Sequence, residues 1–63
     1  MGGGIIIRRA AVLIPTANDP SLYPSLPSNC KAKVDEITAK GAPACDEADV
    51  ETLAAMILVA VHC

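Results

Sequence analysis

Phenylalanine and tryptophan are absent from these 63 residues, and Tyr23 is the only aromatic. Aromatic rings bury more area than any other side chain, so whatever core this chain builds is aliphatic. Hydrophobic residues make up 52% of the sequence, but 11 of them are alanine, which contributes one methyl each. A chain of this length also buries only about 60% of the surface its unfolded form exposes. The sequence therefore predicts a fold that is not independently stable and that other chains complete.

Positive charge is scarce too. Five Lys and Arg against seven Asp and Glu give a net charge of −2. Only Arg8 and Arg9 are adjacent, with no aromatic beside them to stack on bases, which argues against nucleic acid as a partner. Long apolar runs are missing as well. Ile5 to Ile14 is interrupted by the two arginines, and Leu53 to Val61 is far short of the roughly 20 residues that cross a bilayer. Arg8 and Arg9 follow the first apolar run, the reverse of a secretory signal, and Ile6 stands where a myristoylation pattern wants Ser or Thr.

Cysteine occurs three times, as Cys30, Cys45 and Cys63. An odd number leaves at least one unpaired within the chain. No C-x2-C spacing makes a zinc signature, and His62 beside Cys63 is the only Cys–His proximity. Neighbours on a helix point about 100° apart, so they make a poor nucleophile and base. No catalytic residue, metal site or cofactor is predicted, and the chain does not read as an enzyme. Buried reduced thiols are expected, because free cysteine behaves as a small hydrophobe. The competing expectation is an intermolecular disulfide through an exposed Cys45 or Cys63.

Three segments follow in order. Residues 1–14 carry dense β-branched side chains, Ile5, Ile6, Ile7, Val12 and Ile14, which favour an extended strand paired with a neighbour, or else an irregular apolar arm in a partner's groove. Residues 15–29 contain Pro15, Pro20, Pro24 and Pro27, which fix φ and remove donors, so the segment is predicted to be an extended, non-helical linker. From residue 30 onward the apolar period becomes helical. Ser28 or Asn29 can cap a helix over about 30–40, whose Cys30, Val34, Ile37 and Gly41 share one face. Gly41 and Pro43 end it. A second helix over about 46–62 opens with Asp46, Glu47, Asp49 and Glu51 at the positive end of its dipole.

In that second helix Val50, Leu53, Ile57 and Val61 form one face, widened by Ala54, Leu58 and Ala60. Ala55, Met56 and Val59 make the far side apolar as well, and a helix that is apolar all round is buried all round. The first helix of an antiparallel hairpin covers one side, so the other is predicted to need a partner. The expected architecture is thus mostly α with an extended N-terminal arm, a proline-rich linker and a C-terminal helical hairpin.

The expected role is a small structural or interaction subunit of a larger assembly, for example a virion accessory or minor structural protein residing in the particle. Its candidate partner-binding residues are Ile5, Ile6, Ile7, Val12 and Leu13 in the arm, Leu22, Tyr23 and Leu26 in the linker, and Met56, Val59 and Cys63 on the outer helix face. The alternative is a peripheral membrane or organellar subunit whose N-terminal segment lies against lipid beside Arg8 and Arg9. The short apolar runs weigh against membrane contact.

Overall fold

Three α-helices and two short 3-10 turns account for most of the chain, and the computed structural model describes the backbone from Gly2 to His62, with side-chain placement from Gly4 onward. Helix α1 spans Gly2–Ala17, α2 Ser28–Lys40 and α3 Glu47–His62. The turns are Tyr23–Ser25 and Ala42–Ala44, and there is no strand among the described residues.

The first segment is therefore a helix, where its β-branched content predicted a strand or extended arm. Ile6, Ala10, Leu13 and Ala17 recur at i, i+4, i+7 and i+11, and Ala10 and Ala17 are fully buried. A β-branched residue in a helix costs a few tenths of a kcal/mol, whereas burying one aliphatic side chain contributes roughly 1.5–3 kcal/mol. Packing outweighs propensity, and the isoleucines follow.

The proline-rich segment is neither extended nor free of helix. Pro15 lies inside the last turn of α1, where its missing N–H deprives only the Ala11 carbonyl of a partner. Polar side chains close that end: the Thr16 hydroxyl donates to the Val12 carbonyl at 2.8 Å and the Asn18 amide to that of Ile14 at 2.8 Å. The Asp19 carboxylate then accepts from the Ser21 backbone N–H at 2.8 Å and from the Ser21 hydroxyl. Those two donors hold the Asp19 carboxyl below its ordinary range. Pro24 sits in the first turn of its 3-10 helix, and Pro27 occupies the cap of α2, positions that need no N–H. Pro27, in place of Ser28 or Asn29, thus precedes the helix, and no side chain caps it.

Between α2 and α3 the chain turns at Gly41, whose φ of 87° and ψ of 152° suit only glycine. Asp46 and Asp49 cap each other reciprocally. The Asp49 N–H donates to the Asp46 carboxylate at 3.0 Å, and the Asp46 N–H donates to that of Asp49 at 3.1 Å. This is a capping box with aspartate at both positions.

The core joins all three helices: Ala10 and Ala17 of α1, Val34 and Ile37 of α2, and Val50, Leu53 and Ala60 of α3, with Leu26 and Cys45 from the connections. The most extensive packing is between α1 and α3. On the second flank of α3, predicted to need cover from outside the chain, Met56 is half-buried against the core while Ala55 and Val59 stay exposed. A radius of gyration of 10.9 Å and an accessible surface of 3925 Å² compare with about 10.6 Å and roughly 3,800 Å² for a compact domain of this size. No extended arm contributes to that shape.

Candidate interaction surface

Polar contacts concentrate around α2. The Asn18 amide donates to the Thr38 hydroxyl at 2.9 Å, tying the end of α1 to α2. The Tyr23 hydroxyl donates to the Asp35 carboxylate at 2.7 Å, with the Lys31 ammonium 5.7 Å from the centre of the same ring. That hydrogen bond, helped by desolvation and the negative charge of Asp35, raises the Tyr23 pKa above its ordinary value. Lys40 pairs with Asp49 at 2.6 Å, raising the ammonium and lowering the carboxyl. No side-chain hydrogen bond or ion pair among the described residues links α1 to α3. Their contact is held by apolar packing alone.

The sequence-selected binding residues divide into two groups. Leu26 is buried, while Ile6, Leu13, Leu22, Tyr23 and Met56 pack against the core. Their apolar area is largely spent within the chain. Met56 in particular, expected on the outer face, is half-buried and packs against the core while also lining a groove along α3. Ile5, Ile7, Val12 and Val59 are exposed, and Cys63 lies outside the described residues.

The same rotation of α3 turns two supposed core residues outward. Leu58 is 59% exposed and Val61 is 61% exposed. With Ile5, Ile7, Val12 and Val59 they complete the set of large exposed apolar side chains among the described residues, and all six belong to α1 or α3. Leu58 and Val61 fall inward only where α2 is the single helix covering α3, and α1 is a second neighbour of α3. A second apolar period at Ile6, Ala10, Leu13 and Ala17 was the available signal that α1 is a helix too.

Two shallow grooves border this surface. Between α1 and α3 a groove of about 500 Å³ has Arg8 and Arg9 at its rim and Val12, Leu13, Val50 and Ala54 along its walls. A second, of about 560 Å³, runs along α3 between Glu47, Ala48, Glu51, Thr52, Ala55 and Met56. One is apolar with cationic edges and the other small-walled with acidic edges. Neither Arg8 and Arg9 nor Glu47 and Glu51 form an ion pair among the described residues.

The thiols are free at Cys30 and Cys45. Cys45 is buried, in line with the expectation of buried reduced thiols and against the competing one of an exposed cross-linking Cys45, and its thiol donates to the Gly41 carbonyl at 3.4 Å. The 3-10 turn Ala42–Ala44 folds the chain back so that this side chain joins the core. Burial, reinforced by Asp49, pushes the Cys45 thiol up from its ordinary value, which suppresses the reactive thiolate. Among the described residues no three His, Cys, Asp or Glu side chains are grouped to hold a metal ion, and no helix is long and apolar enough to cross a membrane.

No family model matches this chain, and no curated protein or solved structure is significantly similar to it.

Proposed function

We propose that this chain is a small interaction subunit that docks into a larger protein assembly through the outer faces of α1 and α3. One observation carries the reading: every large exposed apolar side chain among the described residues lies on those two helices, and none on α2. Exposed aliphatic residues gathered on particular elements mark contact surfaces more often than chance scatter does. The thin interior points the same way. Among the described residues Ile37, Leu53 and Val34 are the only large side chains buried to within 2% of completely, so added burial at an interface contributes much to the stability of so small a fold.

The test is gel filtration of the epitope-tagged chain from native extracts of cells that express it, beside Val12→Asp and Leu58→Asp variants. The wild type is expected in a complex much larger than 6.5 kDa, with both variants shifted toward the free chain. A wild-type chain that elutes as a free monomer overturns the reading.

A second reading draws on α1 alone, which sets Ile5 and Val12 beside Arg8 and Arg9 and carries no acidic residue. That pattern suits a helix lying on an anionic lipid surface. Flotation of the purified chain with anionic phospholipid vesicles decides it: recovery with the vesicles favours lipid, and sedimentation without them removes this alternative.

A further inference from the structure

The exposed faces of α1 and α3 have matching patterns. Along α1, Ile5, Arg8, Val12 and Pro15 follow one another at i, i+3, i+7 and i+10, and all four are exposed. Along α3, Ala48, Glu51, Ala55 and Leu58 repeat the same spacing, and all four are exposed. Residues three and four apart share one side of a helix, so each set forms a straight stripe. Laid side by side in parallel, the stripes bring Ile5 to Ala48, Arg8 to Glu51, Val12 to Ala55 and Pro15 to Leu58. Three apolar pairs then flank one ion pair.

Charge and shape agree beyond that register. Arg9 and Glu47 stand beside Arg8 and Glu51 with the same signs, at the rims of the cationic and acidic grooves. None of these four side chains is in an ion pair within the chain among the described residues. The small residues Ala48 and Ala55 leave room for Ile5 and Val12, which are 59% and 65% exposed.

We infer that the occupant of these faces is a second copy of this chain, with the outer face of α1 in one copy seated on the outer face of α3 in the next. This rests on the assembly reading above and names the partner. The contact uses two different patches, so each copy has one donor and one acceptor face: two copies can close reciprocally about a two-fold axis, and where they do not, repetition gives a larger ring or an open filament.

Sedimentation velocity of the purified full-length chain, from low micromolar to about 1 mM with circular dichroism alongside, tests the inference. The wild type is expected to associate with rising concentration, and less so as salt screens Arg8 and Glu51. Arg8→Glu and Glu51→Arg each place like charges opposite one another and should weaken association about tenfold or more. An equimolar mixture of the two variants, or the double variant, restores opposite charges at the contact and should restore association. A wild type that stays monomeric throughout, single reversals that associate as before, or a mixture that fails to recover each overturns it. So does a chain that remains unfolded at every concentration, since a second copy would then have failed to complete it. Any of these results leaves a large native complex in the extract experiment intact, so failure of self-association and failure of the assembly reading are separable.

Discussion

The two halves of this molecule are stabilised by different means. Around α2 and its connections, residues 18 to 49, the bulky side chains point inward and polar groups fix the geometry: Asn18 on Thr38, Tyr23 on Asp35, Lys40 on Asp49, and the reciprocal aspartate cap. The α1 and α3 pair has apolar packing only, small residues at several buried positions, and six large side chains left in solvent. Directional bonds specify the first region on its own terms. Non-directional burial leaves the second with surface to spare, and that surplus is what a neighbour can cover.

The contrast breaks first at Leu53, the fully buried residue of α3. Leu53→Ala removes a side chain shared by the whole core and should cost about 3 kcal/mol. That is enough to abolish most helical circular dichroism in a chain of this size. Leu58→Ala, five residues along the same helix and exposed, should stay within about 0.5 kcal/mol of the wild type. Equal losses from the two would show that the inner and outer faces of α3 had been misassigned.

Gly41→Ala probes the ordered side of the comparison. A Cβ there meets nothing closer than Pro43 Cδ at 3.8 Å, so the penalty is backbone strain at φ 87° and not a clash. It should be about 1–3 kcal/mol, read as a lowered midpoint in urea. Asp46→Ala removes half of the aspartate cap and should cost about 1 kcal/mol, with slower protection lost first at the amides of the opening turn of α3 in hydrogen exchange.

The smallest effect is the pH dependence. The Asp19 and Asp49 carboxyls have folded pKa values below the ordinary 3.8, so the unfolded chain protonates first. Their contribution is present above that value and is lost as pH falls through the folded pKa. Cys45 and Tyr23 are raised from 9.0 and 10.0, so on the alkaline side the unfolded chain ionises first and stability declines as pH climbs past 9. Thermal melts between pH 5 and 8 should be flat. A midpoint that drifts within that window would place a titrating group where none of these four acts.

Much of the α2 region was legible in the residues. Cys30, Val34, Ile37 and Gly41 define one face by spacing alone; Val34 and Ile37 are buried in the fold and Cys30 is partly so. The acidic opening of α3 and the Gly41 stop are local chemistry, and local chemistry is written in consecutive letters. The first segment was misread for the opposite reason. Its β-branched residues favour a strand intrinsically, and only the presence of α3 makes the helical arrangement of Ile6, Ala10, Leu13 and Ala17 worth more. The candidate surface shifts for the same reason: with α1 left out of the core, Leu58 and Val61 fall inward and Met56 outward, whereas in the fold Leu58 and Val61 are exposed and Met56 packs partly against the core.

By itself the sequence determined the aliphatic, ring-poor composition, the turn at Gly41, the charge at the start of α3 and the period of α2. Each depends on neighbours within about one helical turn. Only the tertiary structure decided that residues 2–17 are helical, that Pro15 is held in the last turn of α1 while Pro24 and Pro27 sit in a turn and a cap, and which side of α3 meets solvent. Those outcomes depend on which distant segment removes a given methyl group from water, and burial has no direction that a linear string records.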